Sequence, residues 1–404
     1  MQLVYGVLRQ RQYLDRIIRI LSKTPLRKLN TFVHQALAIG LFQIFFLTRI
    51  PESAAVNEVV NSCKTAKIPK RLHGFVNAVL RQSIRQKDTL THRAQTDAKG
   101  RPVLNHPDWL VRKWQNSFGT KECERICRNN NYEPPLVLRI NTRRISPDDF
   151  PPMLEKNSIA HKQGYYGEHA VILPDFHAPI SSIPGYNEGF FQVQSEAAQL
   201  ATKLLCPFTP GGTYLDGCAG LGGKTSHLIE LGQGSNLHIH AVEPEKHRLT
   251  LLQENLTRLH HKKQVAVHRG TLQDFFTNNP LTFDGILLDA PCSGTGVTGR
   301  HPDIRWNRRA DELIVYQAAQ LSLLQLAAER VRPGGIIVYA TCSLEPEENI
   351  EVINIFLASH QNFTVTDCSL QIPRRARKFI ENNFFAPRPS ATMDGFFAAR
   401  LQRC

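Results

Sequence analysis

Two cysteines and an aspartate stand at matching points of the chain. Asp289-Ala290-Pro291-Cys292-Ser293 follows an apolar run over residues 284–288, and Thr341-Cys342-Ser343 follows another over 336–340. A short apolar run closed by a polar turn reads as a buried strand with the loop at its carboxyl end. In an open parallel sheet, ligands gather just beyond the carboxyl ends of the strands, so both sulfurs and the carboxylate are expected in one crevice. A thiolate placed there can form a covalent intermediate. One cysteine alone is more often a small buried hydrophobe. Two at matching strand ends, one beside an Asp-Ala-Pro turn, favour chemistry.

A cofactor is expected in the same crevice. Residues 213–216 read as a strand, Gly217-Cys218-Ala219-Gly220-Leu221-Gly222-Gly223-Lys224-Thr225 as a glycine-rich turn, and the residues up to Leu231 as a helix. Such a turn lets a ligand approach the backbone and meet helix N-terminal amides. The next strand, 238–242, ends in Glu243, where a doubly wound fold places the acid that holds ribose hydroxyls. Gly217, Gly220 and Gly222 are not spaced as the dinucleotide fingerprint requires, which disfavours a nicotinamide. A third strand, 265–268, leads to Thr271 and Asp274, either of which could contact an adenine. Asp274 equally suits a helix cap before Phe275.

The elements that must position these groups follow from the rhythm of the sequence. Residues 1–90 carry apolar side chains at helical spacing, among them Leu3, Val7, Leu14, Ile17, Ile18 and Leu21, and read as an all-α domain. Helix starts are expected at Pro51-Glu52 and Pro69-Lys70. The period already runs at Met1 with no capping residue, as it would in a helical domain truncated at its N-terminus. Lys64, Lys67, Lys70, Arg71, Arg81, Arg85 and Lys87 give these helices a cationic face suited to phosphates. Residues 88–107 are polar and read as a linker. Residues 104–184 read as a small α+β module, with strands at 136–141 and 170–173 around a helix at 147–156. From 185 to 404, strand, glycine turn and helix alternate, which implies a Rossmann-like parallel sheet with helices on both faces.

Bulk composition agrees with several soluble domains and an anionic partner. The 404 residues exceed the usual size of one domain, and 49 Lys and Arg against 35 Asp and Glu leave a formal charge of +14. The most apolar stretch, 37–47, is too short to cross a bilayer, so no membrane partner is expected. With no basic-then-apolar leader at the start, a cytoplasmic location and nine free thiols are the expectation. Cys123 and Cys127 lack a second ligand pair, so no metal site is expected.

Cys218 to Thr225, Leu288 to Cys292, Thr341-Cys342-Ser343 and Pro346-Glu347-Glu348-Asn349 resemble the signature runs of RNA cytosine-5 methyltransferases of the Sun/Nop2 family. Tyr5-Gly6-Val7-Leu8-Arg9 and Asn77-Ala78-Val79-Leu80-Arg81 are similar to the NusB-type RNA-binding domain carried by one branch, the RsmB (Fmu/Sun) type, which methylates small-subunit ribosomal RNA. His301-Pro302-Asp303-Ile304-Arg305-Trp306 and Asp394-Gly395-Phe396-Phe397 match it too, so the resemblance spans nearly the whole chain. It implies S-adenosyl-L-methionine as cofactor, ribosomal RNA rather than DNA as partner, and a covalent mechanism. Cys342 matches the family nucleophile, which adds to cytosine carbon 6, and Cys292 matches the cysteine of the release step. Asp289 would hydrogen-bond the ring, and Lys224 would lower a thiolate pKa or bind phosphate. Cys218, Ala219, Gly220, Leu221, Gly222, Gly223, Lys224, Glu243, Thr271 and Asp289 would hold the cofactor.

The sequence departs from the family pattern at Gly220-Leu221, where Ala-Pro is usual, and at Thr271, where an acid is usual. Transfer RNA as the substrate, or a non-catalytic RNA-binding assembly factor, are the alternative readings. RNA contacts are expected to be electrostatic, with Arg300, Arg305, Arg308 and Arg309 near the active site and Trp306 placed to stack on a base.

Overall fold

The computed structural model of the protein describes residues 2–404, so the expectation about Met1 lies outside the described residues. The chain divides into two compact units, one of residues 1–133 with 298–307 and one of residues 134–297 with 308–404.

The first unit is helical. Its central helix, Thr31–Phe46, begins where the Asn30 side chain accepts from the Val33 N–H at 3.2 Å. Val33, Leu37, Leu41 and Ile44 are buried against Leu14 and Ile18 of Arg11–Leu21, Val59 of Glu52–Thr65 and Leu80 of Lys70–Arg85. Gly40 permits the close crossing with the last of these, since a Cβ there would lie 2.9 Å from both Leu80 methyls. The polar stretch read as a linker begins instead with a helix, Lys87–Ala94, because Leu90 and Ala94, one turn apart, are buried in this core. Of the cationic face, Lys64, Lys67, Lys70, Arg71, Arg81 and Arg85 are exposed, while Lys87 is half-buried and pairs with Glu52 at 2.8 Å.

Thr298–Asn307 folds with these helices. The guanidinium of Arg305, fully buried, donates to the carbonyls of Asn105 at 3.1 Å, Asn130 at 2.6 Å and Thr298 at 3.0 Å, and to Asn131 Oδ1 at 2.7 Å. Trp306 donates Nε1–H to the Leu8 carbonyl at 2.8 Å, and Arg11 lies over its ring at 5.0 Å. Arg9 donates twice to the Gly299 carbonyl, at 3.0 and 2.9 Å. Arg305 is therefore an internal group, a correction to its expected role as an RNA contact, and Trp306 is partly buried, with its N–H taken by Leu8 and its ring beneath Arg11. Burial lowers the Arg305 pKa to about 9, and the charge that remains at neutral pH is met by four oxygens.

In the second unit, β1 (Leu136–Ile140), β2 (Lys162–Gln163), β3 (Ala170–Leu173) and β4 (Phe191–Val193) form an antiparallel sheet in the order β2-β3-β1-β4. Phe150–Lys156 covers it, burying Phe150 and Leu154 against Leu138, Leu173 and Phe191. The larger sheet is built on β5 (Thr213–Asp216), β6 (His238–Glu243), β7 (Val265–Arg269), β8 (Phe283–Asp289) and β9 (Val331–Thr341), all parallel, in the order β7-β6-β5-β8-β9. Helices cover both faces over two cores, one around Leu200, Leu228 and Val338 and one around Leu215, Leu324 and Ile337.

An antiparallel extension was not legible in the sequence. It comprises β10 (Phe363–Thr366), β11 (Ile380–Glu381), β12 (Phe384–Phe385) and β13 (Phe397–Arg403), with β13 paired to β9 and both β10 and β12 paired to β13. Residues 397–401 are all buried, so β13 lacks the in-out alternation that would mark a strand. The strand order reverses at β5, and the crevice beyond the carboxyl ends of β5 and β8 is the topological switch point.

Arg305→Ala would strip three buried carbonyls and the part-buried Asn131 Oδ1 of this donor and is expected to destabilise the helical unit by about 3 kcal/mol, read as a lower urea midpoint. An unchanged midpoint would show that these bonds add nothing to the fold.

Candidate active site

The glycine turn after β5 is shaped by contacts that exclude side chains. Gly220 and Gly222 have φ of +55° and +83°, in the left-handed region glycine tolerates. A Cβ on Gly222 would also strike Leu252 at 2.4 Å, whereas one on Gly220 would meet nothing within 4 Å. The turn ends at the helix Gly223–Leu231 and is tied to the neighbouring strand by the Gly220 N–H, which donates to Glu243 Oε2 at 2.9 Å. The other oxygen of Glu243 accepts from the Glu245 N–H at 2.9 Å, so this buried carboxylate is fixed at the end of β6.

Asp216 closes β5. Thr225 Oγ1 donates to it at 2.7 Å and the Cys218 N–H at 3.4 Å, and burial lifts its pKa to about 6. The Cys218 thiol is pushed up by burial and by Asp216, Asp289 and Glu243 around it, which keeps that sulfur neutral. Cys218 is thus a wall of the crevice and not a nucleophile.

Beyond β8 and β9 the geometry tightens. Cys292 Sγ lies 3.3 Å from Cys342 Sγ. The Cys292 thiol pKa is driven well above its usual value, first by that contact and then by burial. The raised pKa keeps Cys292 a thiol, in contact with the Cys342 sulfur. Both residues are only partly buried. Alongside, Lys224 Nζ donates to Asp289 Oδ2 at 2.6 Å and lies 5.4 Å from the Phe396 ring centre.

A buried carboxylate holds the two cysteine turns together. Glu348, fully buried, accepts from the Ser293 N–H at 2.7 Å and from Gln320 Nε2 at 3.1 Å through Oε1, and from the hydroxyls of Ser293 and Ser343 through Oε2. Tyr339 donates to the Glu348 carbonyl at 2.6 Å. The Gly296 N–H donates to the Cys342 carbonyl at 2.9 Å, and Gly395 packs on Gly296 so closely that a Cβ on Gly395 would lie 2.8 Å from the Gly296 Cα.

The structure therefore brings Cys342, Cys292, Asp289 and Lys224 to adjoining strand ends, with Cys218, Ala219, Gly220, Leu221, Gly222, Gly223 and Glu243 on the neighbouring turn and strand. Leu221 is 52% exposed. Thr271 and Asp274 form a capping box in which Thr271 Oγ1 accepts from the Asp274 N–H at 3.1 Å and donates to Asp274 Oδ2 at 2.7 Å, so both are occupied at a helix start. Glu348, Ser293, Ser343, Gln320, Asp216 and Phe396 were not assigned roles from sequence, although Pro346-Glu347-Glu348-Asn349 and the runs that hold Ser343 and Phe396 stood among the family-like motifs. Among the described residues no group of His, Cys, Asp or Glu could hold a metal ion, and no helix is long and apolar enough to cross a membrane. The arrangement offers two sulfurs in contact beside a Lys–Asp pair, next to a glycine turn that leads into a helix N-terminus.

Comparisons with known proteins agree with this architecture. Residues 204–402 match the model of the family described as 16S rRNA methyltransferase RsmB/F, residues 1–85 that of the NusB family, and residues 106–178 that of a Methyltr_RsmF/B-like ferredoxin-like domain. The ribosomal RNA small subunit methyltransferase B of Cronobacter sakazakii is 37% identical over 99% of this chain and 89% of its own length. A crystal structure of a methyltransferase homolog protein from Pyrococcus horikoshii shares 28% identity, with a TM-score of 0.62 over 74% of this chain and 96% of that one. The crystal structure of PH0851 resembles this fold with a TM-score of 0.78 at 24% identity, over 100% of this chain and 89% of that one.

The raised pKa of Asp216 carries a signed consequence for stability. A buried carboxyl that titrates near 6 instead of near its unfolded value of 3.8 contributes stability fully below about pH 4 and loses it as the pH rises through 6. Asp216→Asn removes this term, so its unfolding free energy relative to the native protein should rise by about 3 kcal/mol between about pH 4 and pH 7. Parallel profiles by chemical denaturation would contradict the assignment.

Proposed function

Because this chain belongs to the 16S rRNA methyltransferase RsmB/F family, we propose that it methylates carbon 5 of a cytosine in small-subunit ribosomal RNA, with S-adenosylmethionine as donor and Cys342 as nucleophile. The observation that carries this reading is the 3.3 Å approach of the Cys292 and Cys342 sulfurs beside the Lys224–Asp289 pair. A non-catalytic assembly factor has no use for a partly exposed sulfur next to a thiol held protonated.

The residues present fit the cofactor. The glycine turn leaves open space above Gly220, the helix Gly223–Leu231 points its first amides at that space, and Glu243 ends the adjacent strand. Residues 218–224 would cradle the cofactor, with Glu243 toward its ribose hydroxyls, Thr271 at the nucleoside end and Asp289 near the reacting group. Bound there, it supplies an electrophilic methyl group. Cytosine carbon 5 is a poor nucleophile, so the Cys342 thiolate first adds to carbon 6, and the electron pair of the 5,6 double bond becomes available at carbon 5.

Lys224 donates to Asp289, and a proton shared between Asp289 and the base would hydrogen-bond the cytosine ring and so stabilise the adduct. Once carbon 5 has gained the methyl group, loss of its proton lets the carbon–sulfur bond break, and the thiol of Cys292, donating to the departing sulfur, promotes release. The base must be unpaired or flipped out for carbon 6 to reach the sulfur. The exposed cationic face of the helical unit supplies sequence-independent attraction for RNA, which should weaken with salt.

Cys342→Ala is expected to lower methyl transfer to ribosomal RNA by at least about a thousandfold without loss of RNA binding. Cys292→Ala should accumulate a protein–RNA adduct that survives a denaturing gel. Normal turnover by Cys342→Ala would overturn the mechanism.

A further inference from the structure

The fold around the glycine turn contains a polar group that the mechanism above does not use. Arg139, on β1 of the small sheet and 1% exposed, makes five hydrogen bonds, as many as the N–H groups a guanidinium carries, and four of them go to the glycine-turn helix. Nε and Nη2 hold Glu230 in a bidentate pair at 2.9 and 2.8 Å. Nη2 also donates to Ser226 Oγ at 2.9 Å, and Nη1 donates to the Gly223 carbonyl at 2.9 Å and to Gln194 Oε1.

This last bond decides how Gln194 lies. A guanidinium has only donors, so it must face the amide oxygen, and the amide nitrogen of Gln194 is forced to the opposite side. That nitrogen is buried, the residue being 7% exposed, and it has no hydrogen-bond partner among the described residues. It is also the first atom that a side chain on Gly223 would meet, at 4.0 Å. A buried donor left without an acceptor costs about 1–3 kcal/mol, so a group of this kind implies an acceptor supplied from outside the chain.

The neighbours of Gly223 define that acceptor. Glu243, the acid suited to ribose hydroxyls, bonds the turn at Gly220, three residues earlier in the chain. Gly223 opens the helix, where N-terminal amides and the Lys224 ammonium favour negative charge. Resting on the reading that S-adenosylmethionine is the methyl donor, we infer that Gln194, aimed by Arg139, donates a hydrogen bond to the carboxylate at the amino-acid end of that cofactor. Arg139 is the positioning residue: it fixes the amide and the first turn of the helix in one act, so the small sheet takes part in cofactor binding without touching the reacting carbon.

The test compares two ligands, S-adenosylmethionine and its decarboxylated form, titrated calorimetrically into the full chain and its variants. The native protein should bind the carboxylate-bearing ligand more tightly. Gln194→Leu should weaken that ligand by about tenfold and leave the decarboxylated one unchanged. Gln194→Glu keeps an oxygen for Arg139, so the fold is retained, but it replaces the donor with an acceptor and should weaken the carboxylate-bearing ligand further still. Equal weakening of both ligands, or no weakening of either, overturns the inference. Failure of the native protein to bind either ligand would instead overturn the cofactor reading, and the inference with it.

Discussion

The catalytic geometry depends on one buried carboxylate. Glu348 takes donors from the turn after β8, through the amide and hydroxyl of Ser293, and from the turn after β9, through the hydroxyl of Ser343. Gln320, on the helix Leu313–Arg330, closes the set. A charge removed from water is tolerated only when its lone pairs are met by donors, so the two turns cannot drift apart without stranding it. Each of the two serine donors is the immediate neighbour of a cysteine, Ser293 of Cys292 and Ser343 of Cys342, so the same constraint holds the two sulfurs at 3.3 Å.

The proton economy of the crevice follows from the same arrangement. Burial and carboxylate neighbours keep Cys218 neutral, and the contact with Cys342 keeps the proton on Cys292. Lys224, also carried by the glycine turn, donates to Asp289 across the crevice. One short stretch of backbone thus bears both the proposed seat of the cofactor and the cation beside Asp289. The close packing of Gly395 on Gly296 holds the Cys292 turn from its other side and brings the Phe396 ring near the Lys224 ammonium.

Much of this was legible in the sequence where local physics decides the outcome. The central parallel strands β5, β8 and the end of β9 are short, largely buried runs, and the glycine turn and the cysteines sit at their ends, so their positions read directly from residue type. Tertiary partners decided the rest. Arg305 and Trp306 look like RNA-binding residues in a linear reading, yet the carbonyls of Asn105 and Asn130 and of Leu8 claim them, and those acceptors lie far away in the chain. β13 has no alternation because both its faces are covered. Glu348 stands in the polar run Pro346-Glu347-Glu348-Asn349, where nothing local marks it for burial, and its four donors come from three separate segments.

The central claim is that the sulfur of Cys342 activates a pyrimidine so that carbon 5 exchanges its hydrogen for a methyl group. Ribosomal RNA carrying tritium at cytosine carbon 5 tests it most directly, with tritium release to water and methyl incorporation followed in one reaction. The account predicts one tritium lost for each methyl gained. Methyl incorporation with the tritium retained would place the modification on another atom and contradict the account.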